Sequence, residues 1–436
     1  MNCRHVLSGP PRLTETPVRR PLGLAAAIAL VMGNMIGSGV FLLPASLAPF
    51  GWNAVAGWAL TIIGALALAH ALARLTRALP GASGPVEMVE AAFGPVPAFM
   101  IGWSYWVSIW TANATIAIAG ASYLSLFVPD IATRPGMGAA TALALLWLLT
   151  LLNLRGARAA GGFQLATLLL KLIPLIVVIA IAAIVLFRSG STAIAPFPAE
   201  GLQAGAITAS ASLTLWALLG FESASAAADK VADPERNIPR ATMLGTLATG
   251  LVYILVCSAI ALMLPPEIAA GSDAPFADFV RRYWAPGPAY LIGLFAAISA
   301  IGALNGWILL QGEVQLAMAR AGRLPRWLAH ADEAGTPRRA LLVSSVLASV
   351  LLVSNSLKTM GDLFTFMALL STSASLWLYL ACAGAALRLK LAVPVAAFGA
   401  VYAIWTLWGA GPGTSLLSLV LMLGGLPFYL YARRRA

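Results

Sequence analysis

Two stretches of this sequence place glycine beside polar or ionisable residues inside long apolar segments. The first is residues 33–40, GNMIGSGV, and the second is residues 216–225, WALLGFESAS. Glycine costs an α-helix roughly 1 kcal/mol relative to alanine, and a charged group in mid-membrane costs at least about 2.5 kcal/mol. Such costs indicate a function, because an interrupted helix frees backbone N–H and C=O groups that can bind a charged solute.

Close helix packing is the alternative explanation for the glycines, since small residues let two membrane helices approach. The positions of the two stretches favour broken helices instead. They fall in the first and sixth apolar segments, which correspond if helices 1 to 5 and 6 to 10 are inverted repeats. N–H groups near Ser38 and Gly39 would then attract a carboxylate, and carbonyls of Trp216 and Leu219 would accept from an ammonium. The pattern predicts a pocket for a zwitterion.

A bilayer is the solvent that the composition indicates. Of the 436 residues, 60% are hydrophobic and 10% are charged, and the mean hydropathy is +0.87. Apolar runs of about 20 residues, enough for an α-helix to span the hydrocarbon core, recur along the chain. We predict twelve crossings, at residues 22–45, 52–78, 95–128, 137–154, 162–187, 205–228, 241–264, 286–318, 340–355, 360–387, 391–410 and 413–432.

The distribution of basic residues predicts the orientation, because cytoplasmic loops retain Lys and Arg. With twelve crossings, one side of the membrane holds only Arg134, Arg188, Arg281, Arg282 and Lys358, and the other side holds most of the remaining positive charge. We therefore expect both termini in the cytoplasm and the protein in a bacterial inner membrane. The same distribution explains the basic pI of about 10.1 without nucleic-acid binding.

Several motifs together resemble the amino acid, polyamine and organocation superfamily of transporters. They are the two stretches above, residues 233–240 (DPERNIPR) and residues 318–325 (MARAGRLP). Within that superfamily the chain looks most like arginine/agmatine antiporters and exchangers of basic amino acids and polyamines. The resemblance implies an all-α membrane protein with a five-plus-five inverted repeat, broken helices 1 and 6, and two extra C-terminal helices. It also implies alternating access and, in many members, a homodimer.

The resemblance also implies residue roles. The carboxylate of the substrate would contact Ser38 and the Gly39 amide, and its amino group the carbonyls of Met35, Trp216 and Leu219. The other residues expected to line the pocket are Asn34 beside the first motif, Tyr105, Ser108 and Asn113 in the third run, and Trp307 in the eighth. Asn113 would bind the distal cation, Trp216 would stack over the side chain and Trp307 would pack on its stem. Ser108 and the unaligned stretch at residues 371–375 depart from the antiporter pattern, which leaves the side-chain specificity open.

Two ionisable residues are candidates for coupling and pH sensing. Lys171 lies inside the fifth run, where it either snorkels to the membrane surface or sits in a desolvated site whose charged form is disfavoured. By resemblance to proton-coupled members, it would bridge helices 1 and 5. Glu222 matches a glutamate proposed as a pH switch in the antiporter, with a purely structural buried carboxyl as the alternative.

The predicted organisation is a cytoplasmic tail at residues 1–20, a transport core at 21–390 with repeats at 21–190 and 205–390, and helices 11 and 12 with the C-terminus at 391–436. We expect a transporter and not an enzyme, because no nucleophile, acid and base converge at a recurring spacing. Exchange of a basic amino acid for its amine or another amino acid is favoured. Proton-coupled symport of neutral amino acids remains open, as does a receptor or channel. The expected partners are the small-molecule substrate, protons and the bilayer, without nucleic acid, metal or cofactor.

Overall fold

The computed structural model describes residues 23–37, 39–82, 84–156, 170–222, 231–333 and 335–434. Within these ranges the regular structure is helical, and no β-strand is found there, which confirms the predicted all-α class. Helices α1 to α9 are Leu24–Met35, Gly39–Leu47, Trp52–Ala78, Pro85–Phe93, Pro95–Leu124, Asp130–Thr133, Met137–Asn153, Leu172–Ser189 and Ala204–Leu218. Helices α10 to α18 are Pro234–Met263, Pro266–Ala270, Pro275–Tyr283, Pro286–Arg320, Arg338–Ser354, Met360–Arg388, Val393–Gly409, Pro412–Leu423 and Leu426–Arg434.

Six helices in the described ranges are long and apolar enough to cross a membrane. The pair α1 and α2, bent by 50° at a short break, makes a seventh if it is counted as one span. Shorter apolar helices are α7, α9 and α16. The protein is therefore a multi-pass membrane protein, whereas the twelve crossings and the inverted repeat stay predictions.

Helix boundaries follow local sequence rules closely. The long helices α5, α10 and α13 each begin with proline in the first turn, where its missing N–H would have no helical partner in any case. Four short helices, α4, α6, α11 and α12, lie between the predicted runs. The most amphipathic of them, α12, buries Phe276 and Phe279 and carries Arg281 and Arg282 in its last turn.

Helix α5 is the centre of the bundle and packs against α7, α13 and α15. Side-chain hydroxyls join α5 to α15 across the interface. Ser104 Oγ donates to the Ala374 carbonyl at 2.8 Å, and Ser371 Oγ donates to the Ser108 carbonyl at 2.9 Å. Small residues and such bonds hold membrane helices together, because lipid provides no hydrophobic drive for helix association. This arrangement fixes the wall against which the two interrupted segments lie.

Candidate functional site

The first interruption lies between α1 and α2. Helix α1 ends at Met35, α2 begins at Gly39, and the Gly37 N–H donates to the Met35 carbonyl at 2.8 Å. In a continuous helix this N–H would bond to the Gly33 carbonyl, four residues earlier. The break therefore frees the Gly33 carbonyl. Ser38, the predicted carboxylate contact, lies outside the described residues.

The second interruption lies at the end of α9. The helix stops at Leu218, Leu219 is extended with ψ 144°, and Gly220 has φ +106°, a conformation that L-residues rarely adopt. The Leu219 N–H donates to the Trp216 carbonyl at 3.2 Å. A glycine is thus required where the chain leaves the helix.

The two interruptions touch each other. A Cβ atom placed on Gly220 would lie 3.6 Å from the carbonyl carbon and oxygen of Asn34. On Gly39, a Cβ atom would lie 2.7 Å from Cζ3 of the Trp216 indole. The absence of side chains at both glycines therefore lets the two backbones, and one tryptophan ring, approach closely.

Lys171 reaches the freed carbonyl at the first break. Its side chain is 1% exposed, and Nζ donates to the Gly33 carbonyl at 3.3 Å. Lys171 immediately precedes α8, so this bond joins the start of α8 to the end of α1. A lysine in this place satisfies a main-chain acceptor that the interruption leaves without its helical donor.

The Met35 carbonyl, predicted to accept from the substrate ammonium, already has two donors. The Gly37 N–H and the Tyr253 hydroxyl each donate to it at 2.8 Å. A carbonyl oxygen has two lone pairs, so both are in use. The Trp216 and Leu219 carbonyls are the remaining predicted acceptors. Of these two, Trp216 accepts the single bond from the Leu219 N–H.

Glu222, two residues beyond the second break, is held by two tyrosines. Tyr105 on α5 donates to Oε1 at 2.8 Å, and Tyr379 on α15 donates to Oε2 at 2.9 Å. Glu222 as a residue is 5% exposed, and the ring of its neighbour Phe221 stacks on Tyr379 with centroids 4.6 Å apart. Tyr105, predicted as a pocket residue, thus uses its hydroxyl on Glu222. This cluster connects the second break to two helices of the central bundle.

Two cavities adjoin the breaks. The larger, of about 280 Å³, approaches the lower end of the usual range for small-molecule pockets. It is lined by residues that include Gly33, Asn34, Tyr105, Lys171, Glu222, Trp307 and Glu313. The smaller, of about 30 Å³, is lined by residues that include Asn34, Met35, Gly39, Trp216, Leu219 and Trp307. Asn34 and Trp307 line both cavities, so these two residues lie at the junction between them.

Two predicted pocket residues do not line either cavity. Ser108 donates to the Tyr105 carbonyl at 2.7 Å within α5. Asn113 is fully buried, and its Nδ2 donates to Gln311 Oε1 at 2.7 Å, while Gln311 Nε2 donates to Ser345 Oγ at 3.1 Å. These bonds join α5 to α13 and α14. The structure thus places Asn113 in a polar network between helices, beside the α5 residues Ala112 and Ile116 that face the smaller cavity.

Aromatic side chains pack around α2 and near the end of α9. Trp216 meets the ring of Phe364 on α15 edge to face at 5.2 Å, and Phe41 meets Phe276 on α12 in the same manner at 5.0 Å. Tyr123 donates to the Phe41 carbonyl at 2.7 Å. The two Phe41 contacts hold α2, which follows the first break, against α12 and α5, and the Trp216–Phe364 contact joins α9 to α15.

Two interrupted helices and two cavities thus meet in one region of the bundle. A family model described as amino acid permease matches residues 22–430. The chain belongs to the amino acid permease family. It is a membrane transporter of amino acids or amines and not an enzyme, as the sequence predicted.

Similar proteins are named as transporters of basic amino acids and diamines. The cadaverine/lysine antiporter of Escherichia coli K12 is 32% identical over 341 residues, 77% of this chain and 74% of that protein. A putative arginine/ornithine antiporter of Bacillus subtilis 168 is 31% identical over 385 residues, 81% of each. The putrescine transporter PotE of E. coli K12 is 29% identical over 420 residues, 92% of this chain and 94% of that protein.

Sequence reasoning missed three polar partners in this permease. Tyr253 donates to the Met35 carbonyl at the first break, and Tyr379 donates to Glu222. Gln311 accepts a hydrogen bond from Asn113. All three lie in predicted membrane helices, where a polar side chain is itself a signal of a partner. The identity of each partner had no sequence signal, because the bonded residues are 218, 157 and 198 positions apart.

Proposed function

We propose that this permease exchanges a basic amino acid for its amine or for another amino acid by alternating access. The observation that carries the proposal is the contact between the two helix interruptions, with Gly220 against the Asn34 main chain. Backbone groups at such a junction can bind a zwitterion without any charged side chain. In the proposed complex, the carboxylate contacts the Gly39 amide and Ser38, and the ammonium contacts the Trp216 and Leu219 carbonyls.

A cationic substrate side chain is supported by the charges and rings of the larger cavity. Glu222 and the exposed Glu313 supply two carboxyl groups there. Trp307 supplies an aromatic face, and in this proposal it takes the stacking role that the resemblance gives to Trp216, because Trp216 lines only the smaller cavity. A cation over a tryptophan ring gains about 0.5–2 kcal/mol, which is enough for selectivity and weak enough for release. The names of the three relatives above, which refer to lysine and cadaverine, arginine and ornithine, or putrescine, support the same substrate class.

Proton-coupled symport of neutral amino acids is the second candidate, and Lys171 is the observation that favours it. A buried ammonium on the Gly33 carbonyl ties the first break to the start of α8. Loss of its proton would weaken that bond and release the break, which is a direct way to link protonation to a conformational change. In the exchange proposal, Lys171 holds the break in place. Glu222, shared between two tyrosines, is the proposed pH-responsive group.

Exchange in proteoliposomes tests the proposal. Purified protein is reconstituted, the lumen is filled with arginine, lysine, putrescine, leucine or buffer, and uptake of radiolabelled lysine is followed. Basic amino acids or diamines inside should accelerate uptake at least about tenfold over buffer. Acceleration by leucine alone would favour the neutral carrier. Uptake that no internal solute accelerates would contradict exchange and favour a channel or symporter, and an imposed pH gradient separates those two.

A pair of tryptophan variants tests the site itself. Trp307→Leu should lower the affinity for lysine about 2- to 30-fold, the range that corresponds to a cation–π contact of about 0.5–2 kcal/mol. Trp408→Leu removes a tryptophan that is 83% exposed on α16 and serves as the matched control. Equal affinities in both variants would remove Trp307 from the proposed site.

The distribution of Lys and Arg supports a proposal for the orientation of the permease in the membrane. We place the permease in a bacterial inner membrane with both termini in the cytoplasm, so that the basic ends of α3 and α10 face the cytoplasm. A homodimer is part of the proposal by resemblance to the superfamily. Labelling of single cysteines introduced near the C-terminus in right-side-out and inverted vesicles tests the orientation.

A further inference from the structure

One face of α3 lines two cavities outside the transport site. Ile63, Leu66, Ala67 and His70 follow the spacing of one helical face, and Arg74 and Arg77 continue it toward the helix end. The apolar members line one cavity, the basic members line the other, and His70 lines both. The face therefore changes from apolar to basic along a single groove.

The basic cavity lies where α3 ends and α10 begins. It measures about 480 Å³, and its basic lining residues are His70, Arg74 and Arg77 of α3 and Arg240 of α10. Arg77 Nε donates to the Glu235 carbonyl at 3.0 Å. In the described part of the chain, neither Arg74 nor Arg240 has a carboxylate within ion-pair distance. Three exposed guanidinium groups thus converge on one cavity, and none of them has an ion-pair partner among the residues that the structure describes.

The adjoining cavity is an apolar groove of about 460 Å³. It runs between α3, α10 and α16, and it shares His70 and Met243 with the basic cavity. Its outer rim is exposed, with Ile63 at 52%, Val395 at 38% and Phe398 at 47%. A groove of this composition on a membrane-spanning helix suits a hydrocarbon chain.

We propose that this groove binds one anionic phospholipid, with its phosphate at Arg74, Arg77 and Arg240 and an acyl chain between α3 and α16. The dimensions agree with one leaflet. Residues 63 to 77 of α3 extend roughly 21 Å at 1.5 Å per residue, and half of a bilayer including headgroups is about 20–22 Å. Basic pockets between membrane helices recognise anionic headgroups in this way.

Charge and shape together favour a phospholipid over a soluble phosphate compound. A soluble anion would use only the arginines, whereas the groove continues from them along the lipid-facing side of the helix. The site is separate from the transport site, because none of its lining residues lines either cavity beside the helix breaks. The lipid would also contact Leu24, the first residue of the broken-helix segment α1.

Native mass spectrometry of the purified permease in detergent tests the proposal, with phosphatidylglycerol and phosphatidylcholine of identical chains as probes. The wild type should retain one phosphatidylglycerol with a preference of about tenfold or more, since each arginine at an anionic surface contributes a factor of about five. The variant Arg74→Gln/Arg77→Gln/Arg240→Gln should lose this preference. The control Arg320→Gln/Arg326→Gln/Arg339→Gln removes the same number of exposed charges from the region between α13 and α14, which lines neither cavity of the groove, and should keep it.

A groove variant separates lipid from phosphate. Val395→Trp, which narrows the groove without changing charge, should also reduce retention of phosphatidylglycerol, and soluble glycerol 3-phosphate should not displace it. The proposal is overturned by equal retention of the two lipids on the wild type, or by a triple variant that behaves as the control does. Displacement by glycerol 3-phosphate with no effect of Val395→Trp would identify a phosphate site instead. If the triple variant does not fold, the lipid preference of the wild type and the effect of Val395→Trp still test the proposal.

Discussion

Gly220→Ala is the sharpest test of the second helix break. The added Cβ would lie 3.6 Å from the carbonyl carbon and oxygen of Asn34, which is an ordinary van der Waals distance. Steric overlap therefore contributes little. The cost comes from the backbone, because φ +106° is accessible to glycine and strained for alanine.

The magnitude follows from that strain. A residue other than glycine in a sparsely populated region of positive φ costs about 1–3 kcal/mol. If the free alanine variant relaxes to a less strained backbone, substrate binding must restore the open conformation at Leu219 and Gly220, and that cost appears in the binding free energy. The affinity for a basic amino acid should then fall about 5- to 150-fold, at about 1.4 kcal/mol per factor of ten.

The assay is equilibrium binding of radiolabelled arginine or lysine to purified protein, beside a thermal unfolding curve. Gly205→Ala is the matched control, because Gly205 lies in the first turn of α9, the helix that ends before Gly220, and a Cβ there would meet no atom within 4 Å. This control should bind as the wild type does and be slightly more stable, since alanine favours helix. Wild-type affinity and stability in Gly220→Ala would refute the requirement for a broken backbone.

Three further variants test single contacts. Glu222→Gln keeps a group that can bond both tyrosines, so we expect unchanged folding and loss of acid activation in exchange assays across pH; an unaltered pH response refutes the switch. Lys171→Met leaves the Gly33 carbonyl without its donor, which should cost about 1–3 kcal/mol of stability and flatten the pH dependence of transport. A wild-type pH profile in that variant would exclude coupling through the lysine. Asn113→Ala leaves the Gln311 carbonyl oxygen unpaired and should lower the unfolding temperature with less than about a twofold change in arginine affinity; a selective tenfold loss for arginine over leucine would place Asn113 in the pocket instead.

The sequence by itself determined the positions of several long helices and of the two breaks, although α10 begins at Pro234 instead of residue 241, α9 ends at Leu218 instead of residue 228, and the four short helices were not predicted. The predicted run at residues 52–78 coincides with α3, and the runs near residues 95, 137 and 286 begin where α5, α7 and α13 begin. The glycine-rich stretch at residues 33–40 and the site at Gly220 are where the helices stop. These features are local, since proline starts helices, glycine ends them, and about 20 apolar residues span a bilayer. The superfamily resemblance rested on the same local motifs and gave the transporter class.

Only the tertiary structure decided which polar groups meet. The sequence indicated a functional lysine and glutamate, yet it did not show that Lys171 donates to Gly33 or that Tyr105 and Tyr379 share Glu222. It also did not show that Asn113 donates to Gln311, and the contact of Asn113 with the substrate stays a prediction. Such pairs join residues more than a hundred positions apart in the sequence. Turning one helix about its axis by about 100°, the angle between successive residues, would change the partners of its polar side chains. The physical reason is that helix packing sets these rotations, and packing depends on all neighbouring helices at once.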